Sequence, residues 1–207
     1  GGHIVPAEIL ADHLRNEYEI FISTDLRGHK FIKKDKDRIY IFDTPKLNFD
    51  YLILFKFFKV IFLIFKSYFF LKKNKIKKVI STGGYMSLPV CISAKLLKLE
   101  IYLYEPNFVL GRANKFFLKF CKAIICYTEE LINFPKKYKN KIRLIPFLVK
   151  KKFYEIKELK SENEKFCLLV VGGSQGAEVF ENIIHSVVIT LSKNFKIKII
   201  QQTRSKN

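Results

Sequence analysis

Three glycine-bearing loops punctuate this chain, and each follows a strand signal or opens a helix signal. They are Gly1-Gly2-His3, Thr82-Gly83-Gly84-Tyr85 and Gly172-Gly173-Ser174-Gln175-Gly176. A chain that repeatedly passes from a short apolar run through a glycine turn into a stretch of helical spacing has few ways to fold. Its strands lie parallel, because each crossover is long enough to hold a helix, and helices cover the sheet. The fold class expected is α/β, with doubly wound parallel sheets of the Rossmann kind.

The elements follow from periodicity and punctuation. Pro6 can open a helix, and apolar residues recur at helical spacing from Ala7 to Asn16. Strands are expected at Glu19 to Thr24, Ile39 to Phe42, Lys78 to Ser81, Glu100 to Tyr104, Ala123 to Tyr127 and Lys141 to Ile145. A long helix is expected over Phe49 to Leu71. Another is capped by Ser87 with Pro89 in its first turn, and a third runs from Arg112 to Lys119. The charged stretch from Lys150 to Lys165 lacks an apolar period and reads as a linker. After it come a strand (Phe166 to Val171), the third glycine loop, a helix (Ala177 to Leu191) and a strand (Lys196 to Ile200). The expected organisation is therefore a first domain over 1–149, a linker over 150–165 and the start of a second domain over 166–207. The chain opens on Gly1 as if within a motif and stops after one βαβ unit. The first strand of the first domain and most of the second domain are accordingly expected to be missing.

The chemistry is sought in the loops, since open parallel sheets bind ligands beyond the carboxyl ends of their strands. Glycines let a backbone approach a phosphate closely, and a helix N-terminus offers free N–H groups and a positive dipole end. Ser174 and Gln175 add donors to the third loop; the alternative is a tight turn that binds nothing. That loop is not a Walker loop, because no Gly-Lys-Ser/Thr follows it. His3 can act as a base or a phosphate donor, or can be a loop residue only. Glu105-Pro106-Asn107 can offer carboxylate and amide groups to sugar hydroxyls, or can simply end a strand.

Charge narrows the partners. With 38 Lys+Arg against 19 Asp+Glu the formal charge is +19, which favours phosphates, nucleic acid or an anionic bilayer. Part of the excess is compositional, since Lys, Ile, Phe and Asn dominate as AT-rich coding would make them. Nucleic acid is disfavoured: no aromatic–basic stacking motif or helix-turn-helix signal is evident. Cys91, Cys121, Cys126 and Cys167 form no CxxC pair and read as reduced core residues of a cytosolic protein. The four His are scattered, so no metal and no cofactor is expected.

The loops together resemble those of the MurG family of glycosyltransferases, glycosyltransferase family 28. Gly1-Gly2-His3 with Pro6 is similar to the end of the family's Gly-Gly-Thr-Gly-Gly-His loop. Thr82-Gly83-Gly84-Tyr85, with Ser87 and Pro89, resembles its second glycine loop. Glu105-Pro106-Asn107, followed by Gly111 and Asn114-Lys115, resembles its His-Glu-Gln-Asn segment, and Gly172-Gly173-Ser174-Gln175-Gly176-Ala177 matches its Gly-Gly-Ser-Gln-Gly-Ala loop. The sequence departs from the family at Tyr104 and Pro106, which stand for His and Gln. It departs again at Pro146-Phe147-Leu148-Val149-Lys150, which stands for Gly-Asn-Pro-Val-Arg at the domain junction.

The resemblance implies a two-domain GT-B fold and inverting transfer of N-acetylglucosamine from UDP-N-acetylglucosamine to lipid I, giving lipid II for peptidoglycan. It implies His3 as catalytic residue, with Gly2, Gly83, Gly84, Tyr85 and Glu105 on the acceptor. It implies Asn107, Lys150, Gly173, Ser174 and Gln175 on the donor. The implied location is peripheral, on the cytoplasmic face of the bacterial inner membrane. These 207 residues by themselves are expected to be inactive. The competing expectation is a membrane-associated, non-catalytic half of a split glycosyltransferase.

The stretch from Phe49 to Leu71 is long and apolar, yet Lys56, Lys59 and Lys66 interrupt it on one helical face. Three charges at the centre of a bilayer would each cost roughly 2.5–3.5 kcal/mol. A helix in the membrane interface is expected instead, one side packed on the sheet and another apolar and exposed. The alternative is a buried helix whose lysines snorkel.

Overall fold

The computed structural model describes residues 2–32, 38–45, 51–155, 166–172 and 177–201, and the chain divides into two compact units, Gly1–Ile156 and Lys157–Asn207.

The first unit opens with helix α1 (Ile4–Leu14), which carries Pro6 in its first turn. Proline is tolerated there because its missing N–H would have no partner inside the helix. Strand β1 (Phe21–Thr24) pairs in parallel with β2 (Arg38–Ile41), and between them sits a one-turn helix, α2 (Leu26–His29). Periodicity misses α2 because four residues carry too little pattern. Its signal is Asp25, whose carboxylate caps the turn by accepting from the Gly28 N–H at 2.7 Å.

Four further strands form a second parallel sheet in the order β3 (Lys78–Ser81), β4 (Glu100–Glu105), β5 (Ala123–Cys126), β6 (Ile142–Leu144). Helix α3 (Ile53–Lys73) leads into β3, α4 (Ser87–Leu96) connects β3 to β4, and α5 (Arg112–Phe117) connects β4 to β5. The expected parallel α/β architecture is present, in two sheets rather than one continuous sheet. Strands β1 and β3 do not pair; a cleft of about 730 Å³ lies between them, lined by Ile22, Ser23, Val79 and Ser81 with Leu10 and Leu71.

The core lies around β4. Leu103, Ile124, Ala94 and Leu118 have no exposed surface, and Phe117, Cys91 and Ile101 pack with them. Each of the Leu, Ile and Phe side chains contributes about 1.5–3 kcal/mol by leaving water. A smaller cluster of Ile4, Ala11, Ile22 and Ile32 holds α1 to β1.

Helix α3 buries Val60, Leu63, Ser67 and Leu71; it packs along α4, and Phe70 near its end packs on Phe21 of β1 and Tyr40 of β2. The Ser93 hydroxyl of α4 donates to the Ile64 carbonyl at 2.7 Å across that contact. The opposite face is apolar and exposed: Phe58, Phe62, Phe65 and Phe69 each keep 59–67% of their surface in solvent. Among the described residues no helix is long and apolar enough to cross a membrane. Lys59 and Lys66 border this face, whereas Lys56 lies one turn before buried Val60. Lys59 pairs with Asp43 at 2.9 Å, and Lys66 lies over the Phe42 ring at 5.9 Å. Asp43 comes from the loop after β2, outside the helical segment.

The second unit, taken by itself, is one βαβ motif. Strand β7 (Phe166–Val170) pairs in parallel with β8 (Ile197–Gln201), and α6 (Ala177–Ser192) connects them. All four cysteines are free, but Cys167 is exposed and not a core residue. The two-residue period of β7 buries Val170 on one face and puts Cys167 and Leu169 on the other.

Candidate functional site

The first two glycine loops meet. His3 caps the N-terminal end of α1 in position only, with no side-chain bond to the helix. Its ring turns away, to the loop after β3. The His3 Nδ1 lies 2.8 Å from the Thr82 carbonyl oxygen, and the Thr82 hydroxyl donates back to the His3 carbonyl at 2.9 Å.

Gly83 and Gly84 both have φ in the left-handed region, +89° and +81°, where a side chain is strained. Space excludes one as well. A Cβ on Gly84 would lie 3.0 Å from the His3 ring, and one on Gly83 would lie 3.4 Å from both His3 and the Asn114 amide. The glycines therefore let a backbone pass directly over an imidazole. Gly2 has open space around it, and Tyr85 is half exposed at the loop's outer end. Ser87 does not cap α4 as expected. It is the first helical residue, and its hydroxyl donates to the Gly84 carbonyl at 2.8 Å, which fastens the loop to the helix.

The loop after β4 is built around Glu105, which is 2% exposed. Its Oε1 accepts from the Asn107 side chain at 3.0 Å and the Asn107 N–H at 3.4 Å. Its Oε2 accepts from the Gly111 N–H at 2.9 Å and Asn114 Nδ2 at 3.0 Å. Both oxygens are thus committed within the fold. Gly111 has to be small, since a Cβ there would lie 3.1 Å from Oε2. Glu105 holds the Asn107 amide by one of its donors and shapes the loop that presents it. Asn114, fully buried on α5, also donates to the Tyr104 carbonyl at 3.3 Å, and its Oδ1 has no hydrogen-bond partner among the described residues.

Two departures from the family's pattern meet through a third residue. Tyr104 is buried, and its hydroxyl is bonded to that of Tyr127. Burial, then the Tyr127 hydroxyl, pushes the Tyr104 phenol well above its ordinary pKa. Tyr127 in turn stacks on Phe147 of the junction segment, with ring centroids 4.2 Å apart. The junction is also fastened to α1. His13 Nε2 bonds to the Val149 carbonyl at 2.8 Å, the Lys151 N–H donates to Asp12 at 3.4 Å, and Lys150 stands 3.7 Å from Glu8.

The structure thus gathers His3, Gly83, Gly84, Glu105 and Asn107 around Asn114, and sets Lys150 at the other side of α1. Gly173, Ser174 and Gln175 lie outside the described residues. Sequence reasoning gave no role to Thr82 or Asn114. Both stand in segments that resemble the family's, Thr82 opening the second glycine loop and Asn114 following Gly111, and neither carried a role of its own. Among the described residues no three of His, Cys, Asp and Glu gather as a metal site would need.

Residues 1–126 match the model of the glycosyltransferase family 28 N-terminal domain. The chain is 46% identical over its whole length to the Pelagibacter ubique UDP-N-acetylglucosamine–N-acetylmuramyl-(pentapeptide) pyrophosphoryl-undecaprenol N-acetylglucosamine transferase, covering 58% of that protein. It is 32% identical to the enzyme of the same name from Rickettsia felis, with 98% of the chain and 59% of the relative covered. The chain thus spans under two thirds of these relatives' length. In three dimensions it resembles the crystal structure of Acinetobacter baumannii MurG, with a TM-score of 0.68 at 19% identity. That match covers 99% of this chain and 66% of the other, and it bears on the fold alone.

Proposed function

Because the chain belongs to glycosyltransferase family 28, we propose that the complete protein transfers N-acetylglucosamine from UDP-N-acetylglucosamine to lipid I, with inversion, in peptidoglycan synthesis. The observation that carries this reading is the junction of His3 with Gly83 and Gly84, where a ring nitrogen and two bare stretches of backbone share one surface. Gly2, Gly83, Gly84 and Tyr85 form the cradle for the acceptor's diphosphate. Near it the free N–H groups and positive end of α1 favour negative charge.

His3 is the base. Its Nε2 takes the proton of the acceptor sugar's hydroxyl as that oxygen bonds to the anomeric carbon. The bond from that carbon to the diphosphate breaks at the same time, and UDP leaves with the electron pair. Attack on the face opposite the leaving group inverts the centre. Glu105 acts through the loop it organises, and Asn107 presents its amide to the donor sugar. Lys150, with Gly173, Ser174 and Gln175 of the third glycine loop, meets the charge of the donor's diphosphate. In this reading residues 1–149 form the acceptor domain, 150–165 the linker and 166–207 part of the donor domain.

The exposed phenylalanines of α3 rest in the surface of the membrane that carries the lipid acceptor, with basic residues facing anionic headgroups. The protein then sits peripherally on the cytoplasmic face of the inner membrane. The test is to supply the full-length protein with a lipid I analogue and either UDP-N-acetylglucosamine or UDP-glucose. Transfer from the first and little from the second supports the reading. Equal use of both, or release of UDP without a lipid-linked product, overturns it.

A further inference from the structure

His3 and His13 lie at opposite ends of α1, and each gives a ring nitrogen to a backbone carbonyl at 2.8 Å. They use opposite nitrogens: Nδ1 of His3 bonds to Thr82, whereas Nε2 of His13 bonds to Val149. A carbonyl oxygen can only accept, so the bonded nitrogen must carry the proton. Neutral His3 is therefore protonated on Nδ1 with its lone pair on Nε2, and neutral His13 is the reverse. The Nδ1–H form is the minor one for an imidazole free in water, so something holds His3 in it.

Thr82 supplies that hold from two directions. Its carbonyl accepts from the ring, and its hydroxyl donates to the carbonyl of His3 itself at 2.9 Å. The two bonds close a ring between the residues and fix both the backbone and the imidazole of His3. On one side the Gly84 backbone lies close against the ring, since a methyl group there would come within 3.0 Å of it. Thr82 is itself 9% exposed, which shields its side of both bonds from water.

We propose that Thr82 is a positioning residue that locks His3 in its Nδ1–H tautomer, so that Nε2 is the ring's one basic nitrogen. The orienting role that a carboxylate fills in a Ser-His-Asp triad falls here to a threonine in the neighbouring glycine loop. The use of Nε2 in transfer rests on the reading of His3 as the base; the tautomer itself does not.

The experiment uses the full-length protein with 15N-labelled histidine and reads long-range 1H–15N correlations. The His3 signals are identified by their loss in His3→Gln. His3 is expected to give the Nδ1–H pattern and His13 the Nε2–H pattern, an internal contrast within one sample. In Thr82→Val, which keeps the branched shape and the ring's carbonyl acceptor but removes the hydroxyl's hold on the His3 backbone, the His3 signals should move part of the way toward Nε2–H. Turnover should fall about ten- to a hundredfold, the scale set by loss of orientation. Thr82→Ser should restore both. An Nε2–H pattern at His3 in the unaltered protein overturns the proposal, and this needs no variant to fold. So does a Thr82→Val protein with unchanged tautomer and turnover. An Nδ1–H pattern together with near-normal turnover in His3→Ala would instead refute the base assignment and leave the lock standing.

Discussion

Asn114 donates to Glu105 at 3.0 Å, joining α5 to the end of β4 inside the fold. The same Nδ2 bonds the Tyr104 carbonyl, and the Asn114 amide lies beneath Gly83. One side chain therefore ties α5 to the end of β4 and lies against the loop after β3. Asn114→Ala should cost about 1–3 kcal/mol, the usual penalty for leaving a buried acceptor short of a donor. Asn114→Asp should cost more at neutral pH, because it sets a second carboxylate against Glu105. Urea denaturation of the three proteins checks both the loss and its order.

Gly84 carries two constraints, its φ of +81° and its contact with the His3 ring. Gly84→Ala should destabilise by about 1 kcal/mol or more through backbone strain alone. It should also lower turnover by moving His3. Gly2→Ala, where nothing lies within 4 Å, should leave stability unchanged. Melting curves and initial rates of the two variants separate the cases.

Acid should weaken the β1 end of the first unit through Asp25. Burial raises its carboxyl, but the Gly28 N–H at 2.7 Å and the Arg27 guanidinium at 2.6 Å more than offset that, and the net shift is downward. A carboxyl whose folded pKa is depressed contributes stability that is present above its unfolded value, about 3.9. That contribution is lost as pH falls through the folded value. Melting temperature should therefore fall more steeply with acid below about pH 4 in the unaltered protein than in Asp25→Asn. Parallel acid dependence in the two would remove Asp25 from the account.

The apolar face of α3 should behave as a membrane contact. Phe62→Gln with Phe65→Gln should lower binding to anionic vesicles by about a hundredfold or more, since each ring transferred from water is worth about 1.5–3 kcal/mol. Because both rings are exposed, melting should hardly change. Flotation at low and high salt measures the binding, and a peripheral contact should weaken in high salt.

Most elements of the fold were legible because they follow local rules. β3 spans Lys78–Ser81 as its apolar run predicts, and α6 begins at Ala177 just after its glycine loop. Pro6 sits in the first turn of α1 for the reason its missing N–H suggests. What escaped was long-range. That His3 bonds to Thr82, 79 residues away, cannot be read from either loop alone. The partner of Lys59 is Asp43, outside its helix, and the break between β1 and β3 has no local signature. Glu105 was expected to face a ligand, because a carboxylate at a strand's carboxyl end usually can. Its burial under four donors follows from Gly111 and Asn114, which reach it only once the loop has folded back.

The central claim, that His3 at the meeting of two glycine loops is the base of a sugar transfer, is tested most directly by one rate comparison. Formation of lipid-linked disaccharide from UDP-N-acetylglucosamine and a lipid I analogue is measured for the full-length protein and for His3→Ala, with melting curves to confirm that both fold. The account predicts robust transfer by the first and a loss of about a hundredfold or more in the second, the usual worth of a placed general base. Near-normal transfer by a folded His3→Ala protein would contradict it.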